Sequence, residues 1–256
     1  MNYIAVKSKV LAMSARLLNS GDYQNLVCCT SNESLSAALG KQENPSLFDE
    51  CERVSSFIYA KPVRDYVRGM TYGLTGAGAS PPRDTASNRR TSPSESIRHW
   101  SYVMWRRLGM LDKPSRDALK RGLGTEMDLR NILWIYRLKQ YHNIEGSAVF
   151  GYLMPAVHRL SDITRLVECK DGFGLIEALA DSPYGEIFRD ITDLRLGEQA
   201  LAKAVRAKFR AESRSANAAC ICGYLYEKHL EIRNIRAITE GIKFGFAPEE
   251  ILKRLY

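Results

Sequence analysis

No uninterrupted apolar run in this 256-residue chain approaches the length that spans a bilayer, so no membrane-crossing helix is expected. No segment keeps up a period-two alternation of apolar and polar residues, which argues against a sheet-based fold. Residues 1–7 lack the apolar run and cleavage site of a secretory signal. The six cysteines (Cys28, Cys29, Cys51, Cys169, Cys220 and Cys222) form no C-x-x-C pair and keep no regular spacing. They read as reduced, mostly buried thiols of a cytosolic protein. The histidines are His99, His142, His158 and His229, with no second ligand at useful helical spacing, so neither a metal site nor a cofactor is expected. The serines lack a nucleophile elbow. Nothing in the sequence assembles a catalytic constellation, and the chain reads as a non-enzyme.

Charge is present but unevenly placed. The net formal charge is +8, and it divides into −1 over residues 1–60, +9 over residues 61–140 and 0 over residues 141–256. A local excess of this kind suits an acidic partner surface or anionic headgroups better than general nucleic-acid binding. Arg106 and Arg107 stand in the basic region, and the aromatics around them fit core positions better than a stacking platform.

Helical signals run along most of the chain. Tyr3, Val6, Val10, Met13 and Leu17 make a first stripe. Asp22 is the expected cap of the next helix, and Thr30 with Glu33 has capping-box spacing ahead of residues 35–39, where Gly40 is the stop. Residues 71–92 hold Gly73, Gly76, Gly78, Pro81 and Pro82 and few large apolar side chains, the composition of a flexible basic linker. Helical signals resume at Ser92-Pro93-Ser94-Glu95. Gly122 and Gly124 are expected to end a helix begun at Asp112, and Thr125 to cap the next one, to about His142. The expected organisation is a first helical lobe over residues 1–70, the linker over 71–92, and second and third lobes over 93–256. The fold class is all-α.

Two internal repeats support that organisation. Leu129-Arg130-Asn131-Ile132-Leu133-Trp134-Ile135 aligns without a gap on Ile232-Arg233-Asn234-Ile235-Arg236-Ala237-Ile238. Residues 22–39 align in the same way on residues 162–179, with Asp22/Asp162, Leu26/Leu166, Val27/Val167, Cys29/Cys169, Leu35/Leu175, Ala38/Ala178 and Leu39/Leu179 identical. A long helix followed by a packet of short ones cannot bury its apolar face alone, so copies are expected to pack together. Asn131 and Asn234 are expected to bond neighbouring helices and fix register between copies. A sharper reading has Arg130-Asn131 and Arg233-Asn234 lining a shared inner surface that grips a partner. Glu227 and Glu231 share a helix face and read as solvated.

Tyr226-Glu227-Lys228, Glu231-Ile232-Arg233-Asn234-Ile235-Arg236 and Glu240-Gly241 resemble the C-terminal signature of the V-type ATPase and ATP synthase central-stalk linker family. Its members are named C in archaeal and bacterial enzymes and d in eukaryotic ones. Residues 124–139 resemble that family's central motif, and residues 3–26 its first helix and packet. The resemblance covers residues 3–47 and 94–256, and relatives continue with helices where residues 71–94 are polar and basic. It implies a three-lobed helical cup, peripheral on the cytoplasmic side of a membrane. It also implies a non-catalytic rotor linker that joins the membrane rotor-ring (proteolipid) subunits to the central axle subunits of the ATP-hydrolysing head, for proton or sodium ion transport. The residues offered for partner binding are Arg106, Arg107, Arg130, Asn131, Arg137, Arg233, Asn234 and Arg236; nucleic acid is not an expected partner. A second reading, from charge alone, is a basic helical adaptor for nucleic acid or an acidic protein.

Overall fold

The computed structural model describes residues 2–40, 46–75, 93–144, 146–154 and 158–256, and every regular element among them is helical. The first group is α1 (Tyr3–Ser14), α2 (Ser20–Leu26), α3 (Asn32–Leu39), α4 (Leu47–Ser55) and α5 (Lys61–Leu74). After it come α6 (Pro93–Arg107), α7 (Lys113–His142), α8 (Ile163–Glu168), α9 (Gly172–Leu179), α10 (Gly185–Phe188), α11 (Leu194–Glu212), α12 (Ala219–Lys243) and α13 (Pro248–Leu252). The expected linker begins inside α5, which runs to Leu74; residues 76–92, with the expected cap Ser92, lie outside the described residues.

Local chemistry sets the helix starts, in places not where the spacing suggested. α2 begins at Ser20, two residues before Asp22, because Asn19 is its cap: the Asn19 side chain accepts from the amide of Asp22, and Asp22 reaches back to the amide of Asn19. Asp162 is itself the cap of α8, accepting from Arg165 at 3.0 Å. The two aligned aspartates thus hold equivalent helix ends from opposite sides of the box. α3 is capped by the reciprocal pair Ser31 and Ser34, in place of Thr30 and Glu33, and Gly40 ends it at φ 56°. α7 starts at the Asp112 cap and stops at Asn143 in the left-handed region.

Gly122 and Gly124 do not end a helix; α7 passes straight through them. Glycine is there for close approach. A Cβ on Gly122 would stand 2.8 Å from the Phe209 ring of α11, and one on Gly124 would stand 2.6 Å from the ring of His158. Thr125 caps nothing, and its hydroxyl instead bonds the Arg121 carbonyl one turn earlier. Losing two good helix formers costs roughly 2 kcal/mol in propensity, which tight packing along a buried helix readily offsets.

α7, α11 and α12 pack along one another and make the centre of the molecule. Leu119, Leu129 and Ile135 of α7, Val205 of α11, and Ile221, Cys222 and Leu225 of α12 are fully enclosed there. α4 and α5 cover α12 on another side, and α6 lies against α5. Along α12, Ile232 packs against this main core. Ile238 and Ile242 belong to a second cluster with Leu26, Val27, Leu35 and Ile251.

That second cluster shows how the repeat is built. α7, the 3-10 turn Gly146–Gly151, α8 and α9 form one set, in which α9 packs on α7 and α8 on the turn. α12 and α13 begin a matching set, and α2 and α3 complete it: α3 packs on α12 and α2 on α13. Leu26, Val27 and Leu35 are buried there as Leu166, Val167 and Leu175 are in the first set. The packet at residues 22–39 therefore serves the helix more than two hundred residues later, the reverse of the helix-then-packet order that the sequence suggested. An apolar face is buried wherever a matching face is offered, and α12 offers one.

Candidate partner-binding site

Asn131 and Asn234 make the same contact in the two sets. Asn131 Nδ2 donates to the Met154 carbonyl at 3.2 Å, and its Oδ1 accepts from the Met154 amide at 2.7 Å. Asn234 Nδ2 donates to the Tyr256 carbonyl at 3.3 Å, and its Oδ1 accepts from the Tyr256 amide at 2.8 Å. A carboxamide carries a donor and an acceptor side by side, so it satisfies both polar groups of one backbone residue. Each asparagine ties its long helix to the segment that follows it; register is fixed within a copy, not between copies.

An acid three residues before each asparagine holds the packet. Asp128, fully buried, accepts from the amides of His158 (2.9 Å), Arg159 (2.6 Å) and Leu160 (3.2 Å) and from the Tyr184 hydroxyl (2.7 Å). Burial and this carboxylate together push the Tyr184 phenol well above its ordinary pKa. Glu231 takes the same place in the second set, accepting from the amide of Leu18 at 2.8 Å and pairing with Lys228. The expectation that Glu227 and Glu231 are solvated is overturned. Glu231 is buried, and Glu227 is held by Arg206 at 2.6 Å and Arg210 at 2.8 Å. The signal was present in sequence as an acid at the same offset in both copies, Asp128 and Glu231.

The arginines beside the asparagines turn the other way. Arg130 and Arg137 of α7 and Arg233 of α12 line one cavity of about 130 Å³, together with Glu198 of α11, His229 of α12 and Trp134 of α7. Glu198 is shared: one oxygen lies 3.6 Å from Arg137 and the other 3.2 Å from Arg233. Arg130 is bound through two nitrogens to one oxygen of buried Glu126, at 3.0 and 2.7 Å. Arg233 also stacks on the Tyr256 ring, 4.1 Å from its centroid, and Arg137 lies 5.3 Å from the centre of Trp134. Burial, reinforced by the charges of Arg233, Arg130 and Arg236, pushes His229 down to about 3, so the imidazole is neutral at physiological pH.

The remaining sequence-predicted residues stand elsewhere. Arg106 is exposed on α6, 5.8 Å from the centre of the Tyr102 ring. Arg107 is half-buried and donates to the Asp65 carbonyl at 3.5 Å. Arg236 is exposed on α12, outside the cavity lining. Glu198 gave no sequence signal, since a lone glutamate on an amphipathic helix has no distinguishing pattern; Trp134 stands inside the repeated phrase but was not singled out for the site. Among the described residues, no three His, Cys, Asp or Glu side chains are grouped to hold a metal ion, and no helix is long and apolar enough to cross a membrane.

The geometry is thus two matching clamps on two long helices, with their arginines facing a common cavity. Residues 98–254, which contain both helices, match the family model described as ATP synthase (C/AC39) subunit. The chain belongs to that family. A curated relative, the C component of the A-type ATP synthase of Thermococcus gammatolerans, is 29% identical over 144 residues. That alignment takes in 53% of this chain and 38% of the relative, so the chain spans well under two thirds of the relative's length. The C/AC39 match begins within α6 and leaves α1 to α5 outside it.

Proposed function

We propose that this C/AC39 chain is a non-catalytic linker of a rotary ATPase. It would join the central axle of the ATP-hydrolysing head to the membrane rotor ring, and lie peripherally on the cytoplasmic side. The family match over α6–α13 carries the reading. The packing supports it. A linker must pass torque without yielding, and closely packed interiors transmit strain. α7 and α12 are buried along most of their length and tied to their packets by Asp128, Asn131, Glu231 and Asn234. On this reading Arg106, Arg107 and Arg236 steer docking onto acidic partner surfaces or headgroups, and Arg130, Arg137 and Arg233 form a gripping surface. The lobes on this reading are interleaved, since α2 and α3, from residues 1–70, close the set built on α12, from residues 93–256.

The test is co-purification: a tagged chain expressed with its ATPase is expected to bring down the proteolipid ring from solubilised membranes. Its recovery without ring subunits, under conditions that keep the ATPase whole, would count against the reading. The adaptor alternative draws no support from the family match. Duplex binding with a steep salt dependence would favour it.

A further inference from the structure

The cavity between α7, α11 and α12 has more positive charge at its wall than internal pairing neutralises. Three guanidinium groups line it, Arg130, Arg137 and Arg233, against one lining carboxylate, Glu198. Arg130 has its own acid in Glu126, beneath the wall. Glu198 alone therefore serves both Arg137 and Arg233, and at 3.6 Å from Arg137 it makes an ion contact without a hydrogen bond. Among the described residues Arg137 makes no side-chain hydrogen bond, and its guanidinium also lies over the face of Trp134. The three arginines and Glu198 are each a little over one third exposed, so the mouth is open to solvent.

We propose that this cavity binds a single oxyanion group, a phosphate or a carboxylate, through Arg137 with Arg130 and Arg233 on either side. Guanidinium forks match the two oxygens of either group, and a half-dry wall strengthens the pairing. The cavity, of about 130 Å³, leaves room for one such group. Trp134 and Arg137 both line the cavity, with the guanidinium over the indole ring. Neutral His229 adds no charge, and its N–H can donate to a bound oxyanion. This goes beyond the rotor role and does not depend on it, because it concerns the isolated chain.

The oxyanion could be free phosphate or the carboxylate of an acidic side chain, and two probes separate these sources. The full chain is titrated with inorganic phosphate and, separately, with glutarate, at constant ionic strength set by sodium chloride. The readouts are the His229 ring resonances and the thermal midpoint. A saturable shift with phosphate alone assigns a phosphate site; one with glutarate alone, or with both, assigns a general carboxylate-accepting site. Arg137→Gln should weaken binding about tenfold or more, while Arg189→Gln, at an exposed arginine outside the cavity lining, leaves it unchanged. Shifts reproduced by sodium chloride alone, no saturation with either probe, or full-strength binding in folded Arg137→Gln would overturn the proposal.

Discussion

Glu231 accepts a hydrogen bond from the backbone amide of Leu18 at 2.8 Å, as Asp128 accepts one from His158 at 2.9 Å. Extended four residues toward the N-terminus, the alignment of the packets sets Leu18 opposite His158, so one bond occurs twice in the chain. In the first set it spans a loop. In the second it joins segments far apart in sequence, and closes α12 with a packet made from the chain's opening residues. Cutting that bond tests the closure: Glu231→Leu should detach α2 and α3 before the rest unfolds. Hydrogen exchange is the readout. Amides of α2 and α3 should lose protection in the variant while those of α8 and α9 keep theirs. Equal loss in both packets would mean that the bond does not act locally.

The asparagine clamps should differ in strength. Asn131→Leu leaves the amide and carbonyl of buried Met154 without these partners. Asn234→Leu does so at Tyr256, which is half-exposed and can turn to water. A buried group left unsatisfied costs about 1–3 kcal/mol, so Asn131→Leu should lose roughly 2–4 kcal/mol and Asn234→Leu nearer 1–2 kcal/mol. Urea denaturation of both variants checks the order. A neutral Asn131→Leu would remove the clamp from the explanation of stability.

Close approach at α7 makes a counter-intuitive substitution informative. Alanine is the better helix former, by about 1 kcal/mol over glycine. Yet at Gly122 its methyl would meet the Phe209 ring at 2.8 Å, and overpacking costs about 1–3 kcal/mol. Gly122→Ala should therefore lower the melting midpoint, while Gly109→Ala, with nothing within 4 Å, should leave it unchanged or raise it. A raised midpoint for Gly122→Ala would show that Phe209 has room to move.

His229 sets a pH dependence. Its folded value is about 3, below the ordinary 6.5, so the unfolded chain binds the proton first. Stability from this group is whole above pH 6.5 and falls as pH drops toward 3, by at most about 1.4 kcal/mol per pH unit. The groups facing it are Arg130 and Arg137 from α7, Glu198 from α11, and Tyr226, Arg233 and Arg236 from α12. His158 is also pushed down, chiefly by burial, so the contrast with His229→Gln isolates the effect. Between pH 7 and 5 the variant should lose less stability than the parent. Parallel slopes would show that the imidazole titrates normally.

Arg106 offers the cleaner test of electrostatic docking, because Arg107 is half-buried and its reversal would disturb the contact with α5. Arg106→Glu should weaken assembly with the rotor ring more at low ionic strength than at 0.5 M salt, where the Debye length has shrunk to a few ångströms. Equal loss at both salts would point to a packing role.

What the sequence disclosed follows from how each signal arises. Period and caps are local, so the helices around Val6 and Leu35 were legible, and so was the stop at Gly40. The Arg-Asn phrase and the aligned packets identified the repeated pieces. Their assembly was not legible, because nothing local says that Leu26 and Leu35 meet Ile238. Gly122 and Gly124 were misread because a glycine at a helix end and a glycine under a neighbouring ring look alike in sequence. Glu198 escaped notice for a related reason: its role depends on Arg137 and Arg233, which only the packing of α7, α11 and α12 brings to it.

Membership of the rotor is tested most directly by tying the chain to a part that must turn. An engineered disulfide between this chain and the central axle, formed in the assembled ATPase, fixes their relative position. If both turn together, ATP hydrolysis and coupled ion transport continue at the untreated rate after oxidation, which is the expected result. Loss of coupled turnover on oxidation, restored by reductant, would mean that the two parts move against each other and would contradict the linker role.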